Sequence, residues 1–289
     1  MMDRSITICG FPESGKTTYL AALWHLVTAR ADQTSLRFES LRNGDASHLN
    51  ALATRWRDGL TQIRTEIRSS QLVSMNLLDG LGVSLRLTFP DLSGESYRVM
   101  YEDRDCAPAV ADILSQGEGM LFFVHADRIR QPHLVVNVVS QSNALGSAIP
   151  AGQEVAWSPR LSPTQVQVVD FLQLLRLPPL EVPFRRIAIV LSAWDKVVDE
   201  GQTPQDFLAE RLPLLDQYLR CGADGWVWRV YGVSAQGADY EKDNVTLSPS
   251  QLAKLQELRA MDEPSMRIRV VSEGSESHDL TEPIAWLMG

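Results

Sequence analysis

Short apolar runs rich in β-branched residues alternate with helical patterns along much of the chain. Five such runs predict strands, at residues 5–9, 83–89, 119–125, 186–192 and 226–233. Strands that alternate with helices are typical of a mostly parallel sheet covered by helices on both faces. The hydrophobic pattern therefore predicts an α/β fold.

Cap residues mark some of the helices between these strands. Ser162 begins the run Ser-Pro-Thr-Gln, and Thr203 begins the looser run Thr-Pro-Gln-Asp. Each combines an N-cap with a first-turn proline and a capping-box partner. We expect Pro213 to kink or split the second helix and Gly222 to end it.

Three segments look like insertions into this plan, at about residues 32–70, 126–158 and 238–275. In the first, apolar residues at helical spacing predict an amphipathic helix between a cap at Asp45 and Gly59. Those residues are Leu49, Leu52, Ala53 and Trp56. We expect this helix to pack its apolar face on the core. The second segment is either a partner-binding loop or a long connection.

Length and composition limit the class of protein. The 289 residues, 44% of them hydrophobic, can bury the core of a single domain, residues 1–289, that carries these insertions. The net charge of −9 argues against binding nucleic acid, which needs clustered basic residues. The apolar pattern of Thr18–Ala29 is too short to span a membrane and predicts a buried helix.

The cysteines and the first residues bear on location. Cys9, Cys106 and Cys221 lack metal-site spacing, and we expect all three to be free thiols. Residues 1–5 lead directly into the first predicted strand and lack the pattern of an export signal. Both observations favour the cytoplasm.

Residues 10–17, Gly-Phe-Pro-Glu-Ser-Gly-Lys-Thr, fit the pattern GxxxxGK[ST] between a predicted strand and a predicted helix. Backbone N–H groups of such a loop curl around a β-phosphate, and the helix N-terminus adds positive potential. Lys16 would contact the β- and γ-phosphates, and the Thr17 hydroxyl suits Mg²⁺. Pro12 has no N–H, and Glu13 brings negative charge close to the phosphates. The motif predicts a nucleotide-binding P-loop.

A second candidate element follows the strand at 83–89. Asp91 begins the run Asp-Leu-Ser-Gly-Glu at the carboxyl end of that strand, where ligands bind in open α/β sheets. Asp91 could hold Mg²⁺ directly or through water. Gly94 would let a backbone N–H approach a γ-phosphate, so that this loop could respond to its presence.

The order of these motifs resembles that of Ras-like, translation-factor-class P-loop GTPases. Ser192-Ala-Trp-Asp195 and Ser234-Ala-Gln236 follow later strands at the places of the fourth and fifth motifs of that family. The resemblance implies that Asp195 accepts hydrogen bonds from guanine and that a backbone N–H near Ala235 faces guanine O6. It also implies a Ras-like strand order with one antiparallel edge strand, and a closing helix near Asp279–Leu287. The nucleotide contacts expected on both grounds are Glu13, Ser14, Gly15, Lys16, Thr17, Thr18, Gly94, Asp195, Lys196, Ser234, Ala235 and Gln236.

This chain departs from the family pattern in its fourth motif. Ser192 replaces Asn or Thr, and Ala193 removes the lysine whose stem lies over the base. The alternatives for covering the base are Trp194 and Lys196. The chain looks most similar to a large, insertion-bearing bacterial branch, in which the GTPase domain is often encoded beside partner proteins.

The resemblance also assigns the hydrolytic residues. Glu95 stands where the family usually carries a water-positioning glutamine, and its charge opposes the γ-phosphate, so slow hydrolysis is expected. Alternatively, Glu95 is a first-turn carboxylate stabilised by the helix dipole. Thr65, with Thr61 as its rival, would be the second Mg²⁺ ligand beside Thr17 and Asp91. Lys16 would stabilise the transferring phosphoryl group.

Three functions agree with these residues. The first is a Mg²⁺-dependent GTPase that binds GTP and GDP and acts as a switch for a protein partner. The second is a GTP-binding module that does not hydrolyse its ligand, and the third is a P-loop ATPase or small-molecule kinase.

Overall fold

Nine strands of the described residues form one sheet in the computed structural model of the protein. In chain order they are β1 (Arg4–Gly10), β2 (Arg37–Asn43), β3 (Val73–Leu78), β4 (Ser84–Phe89), β5 (Gly119–His125), β6 (Arg186–Ser192), β7 (Val227–Ser234), β8 (Arg269–Ser272) and β9 (Ser275–Ser277). The structure describes residues 4–29, 34–62, 72–90, 94–132, 156–183, 185–198, 201–222, 225–241 and 247–289. In the helix that begins at Gly94, side chains are described from Tyr97 onward.

The strand order across the sheet is β2-β3-β4-β1-β5-β6-β7-β8-β9. The five strands from β4 to β7 in this order pair in parallel and are the five strands that the hydrophobic pattern predicts. β3 pairs antiparallel with both β2 and β4, and β8 pairs antiparallel with β7 and β9. The predicted α/β fold is confirmed, and further strands extend both edges of its parallel centre.

Helices cover both faces of this sheet. They are α1 (Lys16–Ala29), α2 (Ala46–Arg57), α3 (Gly94–Glu102), α4 (Pro108–Ser115), α5 (Thr164–Leu174), α6 (Pro204–Arg211), α7 (Pro213–Cys221), α8 (Pro249–Arg259) and α9 (Glu282–Leu287). In β5, Leu121 and Phe123 join the core beneath α1, whereas Phe122 and Val124 join the core beneath α5. Burial on both faces explains why this strand is a continuous apolar run.

The predicted helix ends are only partly correct. Thr203 and Asp206 form the predicted capping box, Pro213 splits the helix into α6 and α7, and Gly222 ends α7 in the left-handed region. The cap predicted at Ser162 is wrong, because α5 has Pro163 at its N-cap and no side-chain cap bond. The partner expected for that cap, Gln165, is buried and accepts a hydrogen bond from the Leu214 N–H instead (2.8 Å).

The first predicted insertion contains the expected amphipathic helix. Asp45 caps α2 by accepting from the Ser47 N–H, and the four apolar residues named above are all buried in the core. The same segment also contains β2, which the sequence did not predict. Register shifts between Phe38 and Ser40 and between Leu41 and Asn43 break the two-residue period that would have revealed this strand.

Two further expectations concern the thiols and the membrane. Cys9, Cys106 and Cys221 are free, as predicted, and burial raises the pKa of Cys9 to about 12. Among the described residues, no helix has the length and apolarity needed to cross a bilayer.

Candidate nucleotide-binding site

The loop of residues 10–17 connects β1 to α1 and surrounds the ammonium group of its lysine. Lys16 donates to the carbonyl oxygens of Gly10 (2.6 Å) and Phe11 (2.9 Å) and to the Ser14 hydroxyl (3.2 Å). These bonds hold the charge inside the curve of the loop, at the N-terminus of α1. The helix terminus and a cation thus lie together at this loop, which suits a bound phosphate.

Glycine is required at both ends of this loop. A Cβ on Gly10 would lie 2.7 Å from the Phe123 carbonyl oxygen, and a Cβ on Gly15 would lie 3.0 Å from the Ser192 hydroxyl. Both residues also have positive φ angles, 148° and 91°. The glycines of the motif therefore allow the loop to lie directly against β5 and β6.

Ser192 links this loop to β6. Its hydroxyl donates to the Ser14 carbonyl oxygen (2.8 Å), and its side chain is buried. In the comparison with the family pattern, Ser192 is only a replacement for the usual Asn or Thr. In the structure a serine hydroxyl is sufficient to join the phosphate loop to the strand that leads to Asp195.

Asp195 and Ser234 meet at the carboxyl ends of β6 and β7. The Ser234 hydroxyl donates to Asp195 Oδ1 (2.5 Å) and accepts from the Gly237 N–H (3.2 Å). Gln236 donates to the Ala238 carbonyl oxygen (2.7 Å) and so fixes the following loop. The two motifs that the resemblance assigns to guanine recognition are therefore brought together.

Lys196 forms ion pairs at this edge of the sheet. Its ammonium contacts the Asp239 carboxylate and lies 3.8 Å from that of Asp127. His125 ends β5 nearby, where burial and then the charge of Arg128 lower the pKa of its imidazole. Asp239 belongs to none of the sequence motifs, so its place at this site emerges only from the structure.

Trp194 does not cover a base, and that expectation is wrong. Its side chain is 1% exposed and packs against Gly232 and the ring of Phe207, because the backbone turns at Ala193 in the left-handed region. The indole thereby supports the Asp195 turn from within the core.

Replacing Gly232 with alanine is expected to destabilise the protein. The new Cβ would lie 2.5 Å from the Trp194 ring, and such overpacking costs about 2 kcal/mol. Urea unfolding measures this loss. Gly80→Ala is the matched control, because its Cβ would meet open space, and equal stability of the two variants would contradict the packing described above.

Trp56 connects the first insertion to the fifth motif. From α2 its indole N–H donates to the Ala235 carbonyl oxygen (2.7 Å), and Arg267 lies over its ring. Helical spacing predicted that Trp56 is buried. Its bond to a residue 179 positions away is nonlocal and gives no sequence signal.

An aromatic cluster connects the P-loop to α3. The Phe11 ring makes edge contacts with the rings of Tyr101 on α3 and of Phe122 and Phe171. Lys16 Nζ lies 5.6 Å from the centroid of the Tyr97 ring on the same helix. Phe11 thus anchors the loop to the core, although it stands at one of the positions that the pattern GxxxxGK[ST] leaves unspecified.

Some of the remaining predicted site residues are described in the structure, and others are not. Thr17 and Thr18 lie in the first turn of α1, where the Thr17 side chain is exposed. Gly94 begins α3. Asp91, Thr65 and the Glu95 side chain lie outside the described residues. Thr61 is described, and its hydroxyl donates to the Glu241 carbonyl oxygen (2.9 Å).

The sheet and the loop between β1 and α1 together define the α/β fold of the P-loop nucleoside triphosphatases. The family model "Double-GTPase 1" matches residues 7–287 of the chain. The protein therefore belongs to the double-GTPase 1 family, which supports GTP binding at the family level. The predicted resemblance to P-loop GTPases is confirmed by this match.

Solved structures of GTPases show a distant likeness. A bacterial selenocysteine-specific elongation factor, EF-Sec, is 12% identical with a TM-score of 0.35, and sup35 complexed with GDP is 14% identical with a TM-score of 0.34. The matches cover 82% and 90% of this chain but only 27% and 45% of those proteins. No curated protein sequence matches the chain.

Proposed function

We propose that this protein binds Mg²⁺-GTP, hydrolyses it slowly to GDP and phosphate, and acts as a nucleotide-dependent switch for a protein partner. One observation carries the proposal, the bond from Ser192 to the Ser14 carbonyl oxygen. It joins the loop that suits phosphates to the turn that carries Asp195. Phosphate and base recognition then lie at the carboxyl ends of β1 and β6, on the same edge of the sheet, as a single nucleotide requires.

The residues that would contact the base, Asp195 and those that follow Ser234, favour guanine. Asp195 is partly exposed and is oriented by the Ser234 hydroxyl. A carboxylate can accept from both N1–H and N2–H₂ of guanine, and adenine lacks this donor pair. Backbone N–H groups near Ala235 and Gln236 would face guanine O6, and Lys196 would lie beside the base.

The donor set suits magnesium. Thr17 offers an exposed hydroxyl beside Lys16, and hydroxyl and carboxylate oxygens are ligands that Mg²⁺ prefers. We assign Asp91 and Thr65 as its other ligands, since the Thr61 hydroxyl bonds to Glu241. When bound, the ion would neutralise charge on the β- and γ-phosphates. Among the described residues, no group of three His, Cys, Asp or Glu side chains could hold a metal.

Switching would act through α3. The P-loop contacts this helix through Phe11 and Tyr101, and Lys16 lies over Tyr97. The residue that follows α3 by two positions, Arg104, forms a bidentate ion pair with Asp170 on α5 (2.5 and 3.0 Å). A phosphate that attracts Lys16 would change its contact with Tyr97, and α3 could transmit this change to a partner docked in the cytoplasm.

Phosphate release at substrate excess tests hydrolysis. We expect slow turnover of GTP, because Glu95 would place a negative charge near the γ-phosphate and we assign no arginine to the transition state. The control is Lys16→Ala. Turnover no faster than this control would rule out the enzyme and favour the alternative, a GTP-binding module that does not hydrolyse its ligand.

A further inference from the structure

The P-loop carries an acidic residue that is paired with a cation from the turn after another strand. Glu13 has a φ of 59° in the loop, and its carboxylate lies 2.6 Å from the guanidinium of Arg128. Arg128 ends the short 3-10 turn Ala126–Arg128 that follows β5. The pair therefore joins the phosphate loop to the end of the neighbouring strand.

The ion pair offsets the repulsion that the Glu13 carboxylate would exert on a bound polyphosphate. Glu13 lies within the run of residues whose backbone would surround the phosphates, so an unpaired carboxylate there would repel a polyphosphate. Both side chains are about half exposed, and exposed ion pairs contribute little to folding stability. The effect of Arg128 is thus expected in ligand binding rather than in stability.

The ion pair with Glu13 is the direct contact that Arg128 makes at this edge of the sheet, and its charge acts on Asp239 and His125 from farther away. The nearby carboxylates Asp127 and Asp239 contact Lys196, and Asp195 accepts from the Ser234 hydroxyl. His125 has a lowered pKa and adds no positive charge at neutral pH. Arg128 is a cation that the structure places against the P-loop carboxylate, at 2.6 Å.

We propose that Arg128 is a positioning residue for nucleotide binding, which neutralises Glu13 through this ion pair and so allows the P-loop to bind a polyphosphate. The proposal rests on the proposed function, because it assumes that the loop binds GTP and GDP. It implies that Arg128 acts through Glu13 and not by its own contact with the phosphates.

A double-mutant cycle tests this role with the full chain and fluorescent analogues of GDP and non-hydrolysable GTP. Arg128→Ala is expected to weaken GTP-analogue binding about tenfold at low salt, with a smaller loss for the less charged GDP analogue. The loss should shrink as salt rises. Glu13→Gln in the same chain should restore affinity to within about twofold of Glu13→Gln alone, because the repelling charge is gone.

Two controls accompany the cycle. Arg128→Lys keeps the charge and should retain binding, and Arg130→Ala removes an exposed arginine that bonds to the Arg160 carbonyl oxygen and should leave affinity unchanged. Unchanged affinity in Arg128→Ala, or a loss that Glu13→Gln does not rescue, would overturn this proposal alone. Wild-type protein that binds no better than Lys16→Ala would overturn the proposed function as well.

Discussion

Replacing Lys16 with alanine is expected to weaken binding of GTP and GDP by about a hundredfold or more. The ammonium group lies inside the P-loop, bonded to the Gly10 and Phe11 carbonyl oxygens, and would donate charge-assisted hydrogen bonds to two phosphates. Each such bond contributes about 1.5–3 kcal/mol, and about 1.4 kcal/mol corresponds to tenfold in affinity. Fluorescence titration with a labelled guanine nucleotide measures the change.

Lys254→Ala is the matched control for that experiment. Lys254 is exposed on α8, so its replacement removes the same charge from a helix surface and should leave binding unchanged. Circular dichroism should show both variants folded. Wild-type affinity in Lys16→Ala would mean that nucleotide does not bind at this loop.

Changing Asp195 to asparagine should alter which base the protein selects. Asparagine Oδ1 can still accept from Ser234, so the exchange chiefly replaces the guanine-facing acceptor with an N–H₂ donor. GDP affinity should fall roughly a hundredfold, since two hydrogen bonds to a charged acceptor are lost. Xanthosine diphosphate, which carries an oxygen at C2, should bind the variant more tightly than GDP.

The control for this exchange is Asp239→Asn, which neutralises a neighbouring carboxylate that contacts Lys196. It should leave the preference for GDP over xanthosine diphosphate in place. If Asp195→Asn keeps wild-type affinity for GDP, the assignment of the fourth motif is wrong.

Local patterns predicted the parallel centre of the fold well. β5 and β6 each have a continuous apolar interior, at residues 120–124 and 187–191, as expected for strands buried on both faces, and such runs stand out in a sequence. The edges were harder to predict. Two register shifts hide β2, and β8 and β9 are a short hairpin whose two-residue turn, Glu273-Gly274, has positive φ at both positions.

In the candidate site too, residues within one continuous segment could be predicted, whereas contacts between residues far apart in the sequence could not. The P-loop is one continuous segment, so spacing alone located Lys16 and Thr17. Ser192, Trp56 and Arg128 form hydrogen bonds to residues 178, 179 and 115 positions away. No spacing rule relates such pairs, and only the assembled sheet brings them together.

Competition of unlabelled GDP and ADP against a fluorescent guanine nucleotide tests the central claim most directly. The lysine in the P-loop and the Asp195–Ser234 pair together predict that GDP displaces the probe from the wild-type protein at far lower concentration than ADP. Displacement by ADP at equal or lower concentration would contradict guanine recognition at this site.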